Sequence, residues 1–212
     1  MIDPDVVIPV LIKSTDLNRA DQQKDEAQSI GRFLLIPSPQ LYISPRRMSY
    51  LISFCNEADI LEMIRLAGVP VQGRYGHRHA SSFLKYADEG WCDQDHFVFF
   101  LVTDDRRQDI AGCFELRNEI KTNGGRSFEV GYWVGGRFRG VGSAALDSLS
   151  AQCRLYQIQS LYAKVVSTNQ PSVRMLLKSG FQENPKRAAV FQNDTRLMLL
   201  YFEKLLFDSS YC

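Results

Sequence analysis

The chain predicts a mixed α/β fold, an α+β arrangement around a central, largely antiparallel sheet, on three observations. Three short β-rich runs follow one another: His96–Thr103 (HFVFFLVT), Ile110–Leu116 (IAGCFEL) and Phe128–Val134 (FEVGYWV). The segments between them, DDRRQD and NEIKTNGGRS, are charged and rich in turn residues, so the three strands are expected to pair antiparallel. Beyond them helical and β patterns alternate, and no internal repeat or low-complexity tract suggests an array.

Taken in order, Ser14–Ser29 (STDLNRADQQKDEAQS) has only Leu17 as a large apolar residue and reads as a solvated helix or linker. Residues 1–32 are therefore set apart as an N-terminal tail or extension, and 33–212 as the domain. Asn56–Gly68 (NEADILEMIRLAG) has a polar cap candidate, acids in its first turn, an apolar set of Ile60, Leu61, Ile64 and Leu66, and a closing glycine, which predicts an amphipathic helix. A weaker helical stretch covers Ser81–Asp88. After the three strands come a helix over Val141–Tyr156, a β-run over Ser160–Val166, a helix over Gln170–Ser179, and two strand candidates ending in LMLLYFEK.

Composition limits the partners. With 25 basic against 24 acidic residues in 212, a net charge of +1 gives no global reason to expect nucleic acid or a membrane surface. Cys55, Cys92, Cys113, Cys153 and Cys212 are odd in number and lack CxxC spacing, which disfavours a zinc cluster or a disulfide framework and fits a reducing, cytoplasmic setting. No apolar run approaches the roughly 20 residues of a membrane span, and the start lacks a basic leader and a cleavage site. His77 and His79, in a polar GRYGHRHASS loop without a third ligand at sensible spacing, read as surface residues, so no metal is predicted. Cys113 and Cys153 sit in apolar periodic segments, where buried, inert thiols are expected.

The chemistry is concentrated in EVGYWVGGRFRGVGSAAL, Glu129–Leu146. A β-branched and aromatic strand runs through a glycine-rich turn directly into a helix former. Gly140 and Gly142 permit close backbone approach, and the unpaired N–H groups of the first helical turn, at the positive end of the helix dipole, favour an anion. Arg139 adds a cation at the same mouth, and small Ser143 and Ala144 leave the first turn open to a diphosphate. GxxxxGK[ST] and Gly-x-Gly-x-x-Gly are both absent, which removes a P-loop and a dinucleotide fold from consideration.

The spacing Arg139-x-x-Gly142-x-Ala144 resembles the pyrophosphate signature of the GNAT superfamily of N-acyltransferases. The resemblance extends upstream, where Glu129-Val130-Gly131-Tyr132-Trp133-Val134 is similar to that family's splayed fourth strand. It extends downstream, where Asn169-x-x-Ser172 and then Leu176-Leu177-Lys178-Ser179-Gly180-Phe181 is similar to its second cofactor segment. The match covers roughly Tyr42–Lys204. The Gly-Tyr-Trp strand, Ser172 and Leu41–Arg46, similar to a first strand, most resemble the branch with ribosomal-protein N-terminal acetyltransferases and spermidine N-acetyltransferases.

The resemblance implies a sheet with splayed strands, acetyl-CoA as acyl donor, and no metal. It carries donor binding onto Trp133, Val134, Arg139, Gly140, Val141, Gly142, Ser143, Ala144, Asn169 and Ser172. The implied reaction is acetyl transfer to a primary amine on a protein N-terminus, a lysine or a polyamine, by direct attack in a ternary complex. The acceptor is an amine-bearing small molecule or protein, with no nucleic acid or membrane partner, and the enzyme a monomer or homodimer. Glu129 is the leading candidate for accepting the amine's proton, and Glu115 the next. Many members carry a tyrosine acid seven residues after the asparagine, where this chain has Leu176, so either Ser172, water or Tyr132 would replace it, or the thiolate, with a pKa of about 8 to 9, would leave without a dedicated donor. A catalytically inactive acyl-CoA sensor or a protein-interaction module on the same scaffold is the alternative.

Overall fold

The computed structural model describes residues 2–10, 12, 33–57, 60–61, 64, 71–104, 109–122, 125–138, 140–190 and 198–207. Its strands are β1 (Ile8–Val10), β2 (Phe33–Pro37), β3 (Phe97–Thr103), β4 (Ile110–Thr122), β5 (Gly125–Val134), β6 (Ile158–Val166), β7 (Gln182–Glu183), β8 (Ala189–Val190) and β9 (Met198–Leu205). The helices are α1 (Pro45–Cys55), α2 (His77–Asp93), α3 (Val141–Leu155) and α4 (Gln170–Lys178), with one-turn 3₁₀ segments at Ser38–Gln40, Gly136–Phe138 and Pro185–Arg187.

One mixed sheet runs in the order β1-β2-β3-β4-β5-β6-β9-β7, with β8 also on β9. Every neighbouring pair is antiparallel except β5 and β6, which the α3 crossover joins in parallel. The expected sheet is thus present, with helices on both faces. β3 lies in the middle, covered on each side, and its six consecutive buried residues explain why its sequence is a continuous apolar run rather than an alternation. Phe97, Phe99 and Leu101 join the core under α3 and α4, and Val98, Phe100 and Val102 join the core under α1 and α2. Phe97, Phe99, Phe100, Phe114, Phe128 and Phe202 are fully buried, each contributing roughly 1.5–3 kcal/mol of apolar burial.

Several boundaries differ from expectation. Leu41–Arg46 is not a first strand: residues 41–44 have no regular structure, and Ser44 caps α1 by accepting the Arg47 N–H at 3.3 Å, with Pro45 in the first turn. The first long strand is β2. Part of the segment expected as a tail joins the sheet, since β1 pairs with β2 and Ile2, Ile8, Val10 and Ile12 are buried. Ser14–Ser29 lies outside the described residues. The second helix starts earlier than Ser81, at His77, because His79 Nδ1 accepts the Gly76 N–H at 3.1 Å and closes the first turn; the two histidines are helical, not loop. Asn56 and Glu57 form the turn that ends α1, and Ile60, Leu61 and Ile64 are helical; residues 58–59, 62–63 and 65–68 of that expected helix lie outside the described residues. β4 and β5 stay paired beyond the expected strands, Ile120–Thr122 against Gly125–Ser127, where turn-rich chain was expected.

Candidate active site

The parallel pairing of β5 with β6 ends abruptly. It joins Arg126–Glu129 to Ile158–Tyr162, and past the Glu129↔Tyr162 pair β5 runs on to Val134 and β6 to Val166 without pairing to each other. Glu129 therefore sits at the vertex of a V-shaped opening. β4 supplies a cause on the other flank: its register shifts between Arg117 and Ile120, and Asn118 adopts φ 49°, a bulge that bends the ladder at the same level.

Alternation along β5 divides the roles of its side chains. Phe128, Val130, Tyr132 and Val134 belong to the face under α3 and α4, while Trp133 belongs to the face under α1 and α2 and stacks on Phe54, centroids 4.5 Å apart. Glu129 shares the Trp133 face. Its side chain is 7% exposed, and three donors reach the carboxylate: Lys164 Nζ at 2.9 Å, Asn118 Nδ2 at 3.1 Å and Arg117 Nη2 at 3.1 Å. Burial alone would raise its pKa, but hydrogen bonds from Lys164 and Asn118 and the charge of Arg117 outweigh that and hold it below the usual carboxylate range.

The network continues outward. Arg117 Nη1 donates to Glu115 Oε2 at 2.9 Å, and the Tyr86 hydroxyl donates to Glu115 Oε1 at 2.5 Å. The Tyr86 ring stacks on His96 at 3.9 Å, and His96 is fixed by contacts to Asp95 Oδ1 and the Tyr86 carbonyl. The Tyr162 hydroxyl donates to the Asn118 carbonyl at 2.7 Å, and the Tyr162 ring stacks on Tyr201, with Arg187 4.0 Å above the latter. Glu129 and Glu115 were legible from the sequence. Tyr86, Arg117, Asn118 and Lys164 were missed, and the signal was there: Lys164 interrupts the apolar run SLYAKVV on the face opposite Ala163 and Val165.

At the mouth of the V, β5 turns through Gly135–Phe138 into α3. Gly140 caps the helix at φ 94°, ψ −20°, a conformation that L side chains avoid. Gly142 serves a protein neighbour as well: a Cβ there would strike Met175 Sδ in the middle of α4, so the first turn of α3 packs closely against that helix. Val141, Ser143 and Ala144 are buried in the same turn, and the Ser143 carbonyl accepts from Ser179 Oγ at 3.3 Å. Arg139 lies outside the described residues. Asn169 caps α4, its Oδ1 accepting the Ser172 N–H at 3.3 Å. The turn is tied to α1 by Glu57, whose Oε2 accepts the Gly136 N–H at 3.0 Å, beside an open recess of about 610 Å³ lined by Arg46, Ser49, Tyr50, Ser53, Phe54 and Glu57.

Cys113 and Cys153 are the inert thiols expected from their apolar segments. Cys153 is on the buried face of α3 with its thiol pKa pushed up to about 12 by desolvation, and burial raises that of Cys113 well above the ordinary value. The four cysteines among the described residues are free thiols. No described helix is long and apolar enough to cross a membrane.

Comparison with known proteins agrees with this geometry. RimJ from Mycobacterium smegmatis, solved in complex with CoA-disulfide, superposes with a TM-score of 0.65 at 20% identity over 82% of each chain. A ribosomal-protein-S5-alanine acetyltransferase from Vibrio fischeri superposes with 0.58 at 16% identity, over 88% of this chain and 98% of that one. The microcin C7 self-immunity acetyltransferase MccE, solved with acetyl-CoA and AMP, gives 0.62 at 17%, over 82% and 92%. At these identities the likeness shows the fold. No curated protein matches in sequence. The profile of the acetyltransferase (GNAT) domain matches residues 50–182, most of the chain, and together with the splayed strands this places the protein in the GNAT family as an acetyl-CoA-dependent acyltransferase.

Proposed function

We propose that the protein transfers an acetyl group from acetyl-CoA to a primary amine, on a protein N-terminus, a lysine or a small molecule, by direct attack in a ternary complex. The observation that carries this is the parting of β5 from β6 at Glu129↔Tyr162, with the α3 N-terminus at the open end. The residues fit the donor. Backbone groups of Trp133 and Val134 line the opening, the first turn of α3 (Gly140–Ala144) offers N–H groups and a positive dipole end to the diphosphate, and Asn169 and Ser172 flank it from α4. Arg139 is assigned to the same anion by its place in the sequence.

The acceptor approaches on the other face, where Glu129, Glu115 and Tyr162 stand. Glu129, anionic throughout the neutral range, holds the incoming amine, and the proton leaves to it directly or through water shared with Glu115. Among the described residues Glu115 and Glu129 are already paired with Arg117 and Lys164, which favours a single amine over a polyamine. The reducing setting that free thiols suit supports a cytoplasmic location.

One observation favours the non-catalytic sensor: Leu176, at the position of the family's tyrosine acid, is fully buried. Isothermal titration with acetyl-CoA, followed by amine screening, separates the readings. Micromolar binding lost in Gly142→Glu and Arg139→Glu, with turnover of an amine, supports the enzyme. Binding without turnover of any amine supports the sensor, and a folded chain that does not bind sinks both.

A further inference from the structure

At neutral pH the thiolate that leaves a thioester ends as the free thiol, having taken up a proton, and Leu176 supplies none: its side chain is buried among the apolar residues under the sheet. A phenol nonetheless stands beside α4. Tyr132 lies on β5 three residues past the vertex at Glu129, where β6 no longer pairs, and its side chain points to the α4 face, against the cluster that holds Val173, Met175 and Leu176. Its hydroxyl is 3.5 Å from the Ser172 carbonyl in the first turn of α4, a long contact that leaves the donor only weakly committed. The ring is held by Phe114, centroids 5.9 Å apart, and is partly exposed. Tyr86, Tyr162 and Tyr201 stand with Glu129 on the acceptor side, whereas Tyr132 borders the opening from the α4 side.

Resting on the acetyl-CoA reading above, we propose that Tyr132 is the proton donor to the departing sulfur, a phenol delivered from the strand in place of one delivered from the helix. The amine nitrogen bonds to the thioester carbon, and the C–S bond breaks with its electron pair going to sulfur. The Tyr132 hydroxyl gives its proton to that sulfur, forming the free thiol of CoA. The proton lost by the amine, passed through water, restores the phenol, so one proton moves from nitrogen to sulfur overall. Burial raises the phenol's pKa, which keeps it protonated and ready to donate at neutral pH.

The test needs no known acceptor. Reduced CoA bound to the protein is titrated by the ultraviolet absorbance of its thiolate, in wild type, Tyr132→Phe and Ser172→Ala. A phenol that donates to the sulfur stabilises the thiolate, so Tyr132→Phe is expected to raise the bound thiol's pKa by on the order of one unit relative to wild type, with CoA affinity changed less than threefold. Should Tyr132→Phe fold poorly, fluorotyrosine at 132 keeps the packing and is expected to lower the thiol's pKa as the phenol becomes more acidic. An unchanged thiol pKa in both variants, or a shift confined to Ser172→Ala, overturns the assignment. Failure of folded wild type to bind CoA overturns the acyltransferase reading beneath it instead.

Discussion

Lys164 Nζ lies 2.9 Å from Glu129 Oε2, so the carboxylate at the vertex of the splay is tied to the strand that parts from it. Because the folded carboxyl gives up its proton more readily than the unfolded one, the native state binds fewer protons. Its contribution to stability is full above the ordinary value of 4.5 and is lost as pH falls through the lowered folded value. Thermal melts from pH 7 to pH 3 are expected to fall steeply in that window for wild type and less steeply for Glu129→Gln. At pH 7 the variant should cost about 1–2 kcal/mol, below the usual figure for a broken buried pair because Arg117 and Lys164 are 38% and 42% exposed. An equally steep acid limb in the variant would show that other carboxylates set it.

Gly140→Ala forces an L residue to φ 94° at the helix start. The strain is expected to cost about 1–2 kcal/mol and, by misdirecting the first N–H groups of α3, to weaken acetyl-CoA binding at least tenfold. Calorimetric titration checks the second effect against the first, since strain alone would lower the melting temperature and leave affinity intact.

Gly135→Ala places a Cβ inside the Phe54 ring. A packed ring on the Trp133 stack cannot yield freely, so a loss of about 1–3 kcal/mol is expected. The double variant Gly135→Ala with Phe54→Leu should recover part of it, read by chemical denaturation.

Tyr86→Phe keeps the stack on His96 but removes the hydroxyl bonded to Glu115. A stability loss of about 0.5–1.5 kcal/mol is expected, with KM for the amine raised several-fold and donor affinity unchanged. A rise in the donor dissociation constant instead would place Glu115 on the wrong side of the sheet.

Leu176→Tyr tests whether the helix position is usable here. Leu176 is 0% exposed, so the larger ring is expected to destabilise the protein by about 1–3 kcal/mol without raising kcat. A gain in turnover would show that the pocket opens to the sulfur.

The strand, glycine turn and helix at Glu129–Leu155 were legible because each uses local chemistry: β-branched and aromatic residues, a glycine at positive φ, and an alanine-rich apolar face. β3 was legible from its apolar run. The start of α2 was not, since Gly76 and His79 are an uncommon cap. The outer halves of β4 and β5 were not either, because polar residues such as Arg126 and Glu119, ion-paired across the hairpin, leave no apolar alternation to read. At the site, Glu129 was found by its place in a motif. Arg117, Asn118 and Lys164 converge on it from two other strands, a convergence set by register and a bulge rather than by spacing along the chain.

The short strand β1 carries a consequence for where the chain can be cut. It pairs Ile8–Val10 with Phe33–Leu35 of β2, and α3 packs against it. A chain trimmed to begin at Phe33 would leave FLLIP as a bare, apolar sheet margin with open N–H and C=O groups, a template for a second copy to add on. Such a fragment is expected to self-associate and precipitate at concentrations where the longer chain stays in solution.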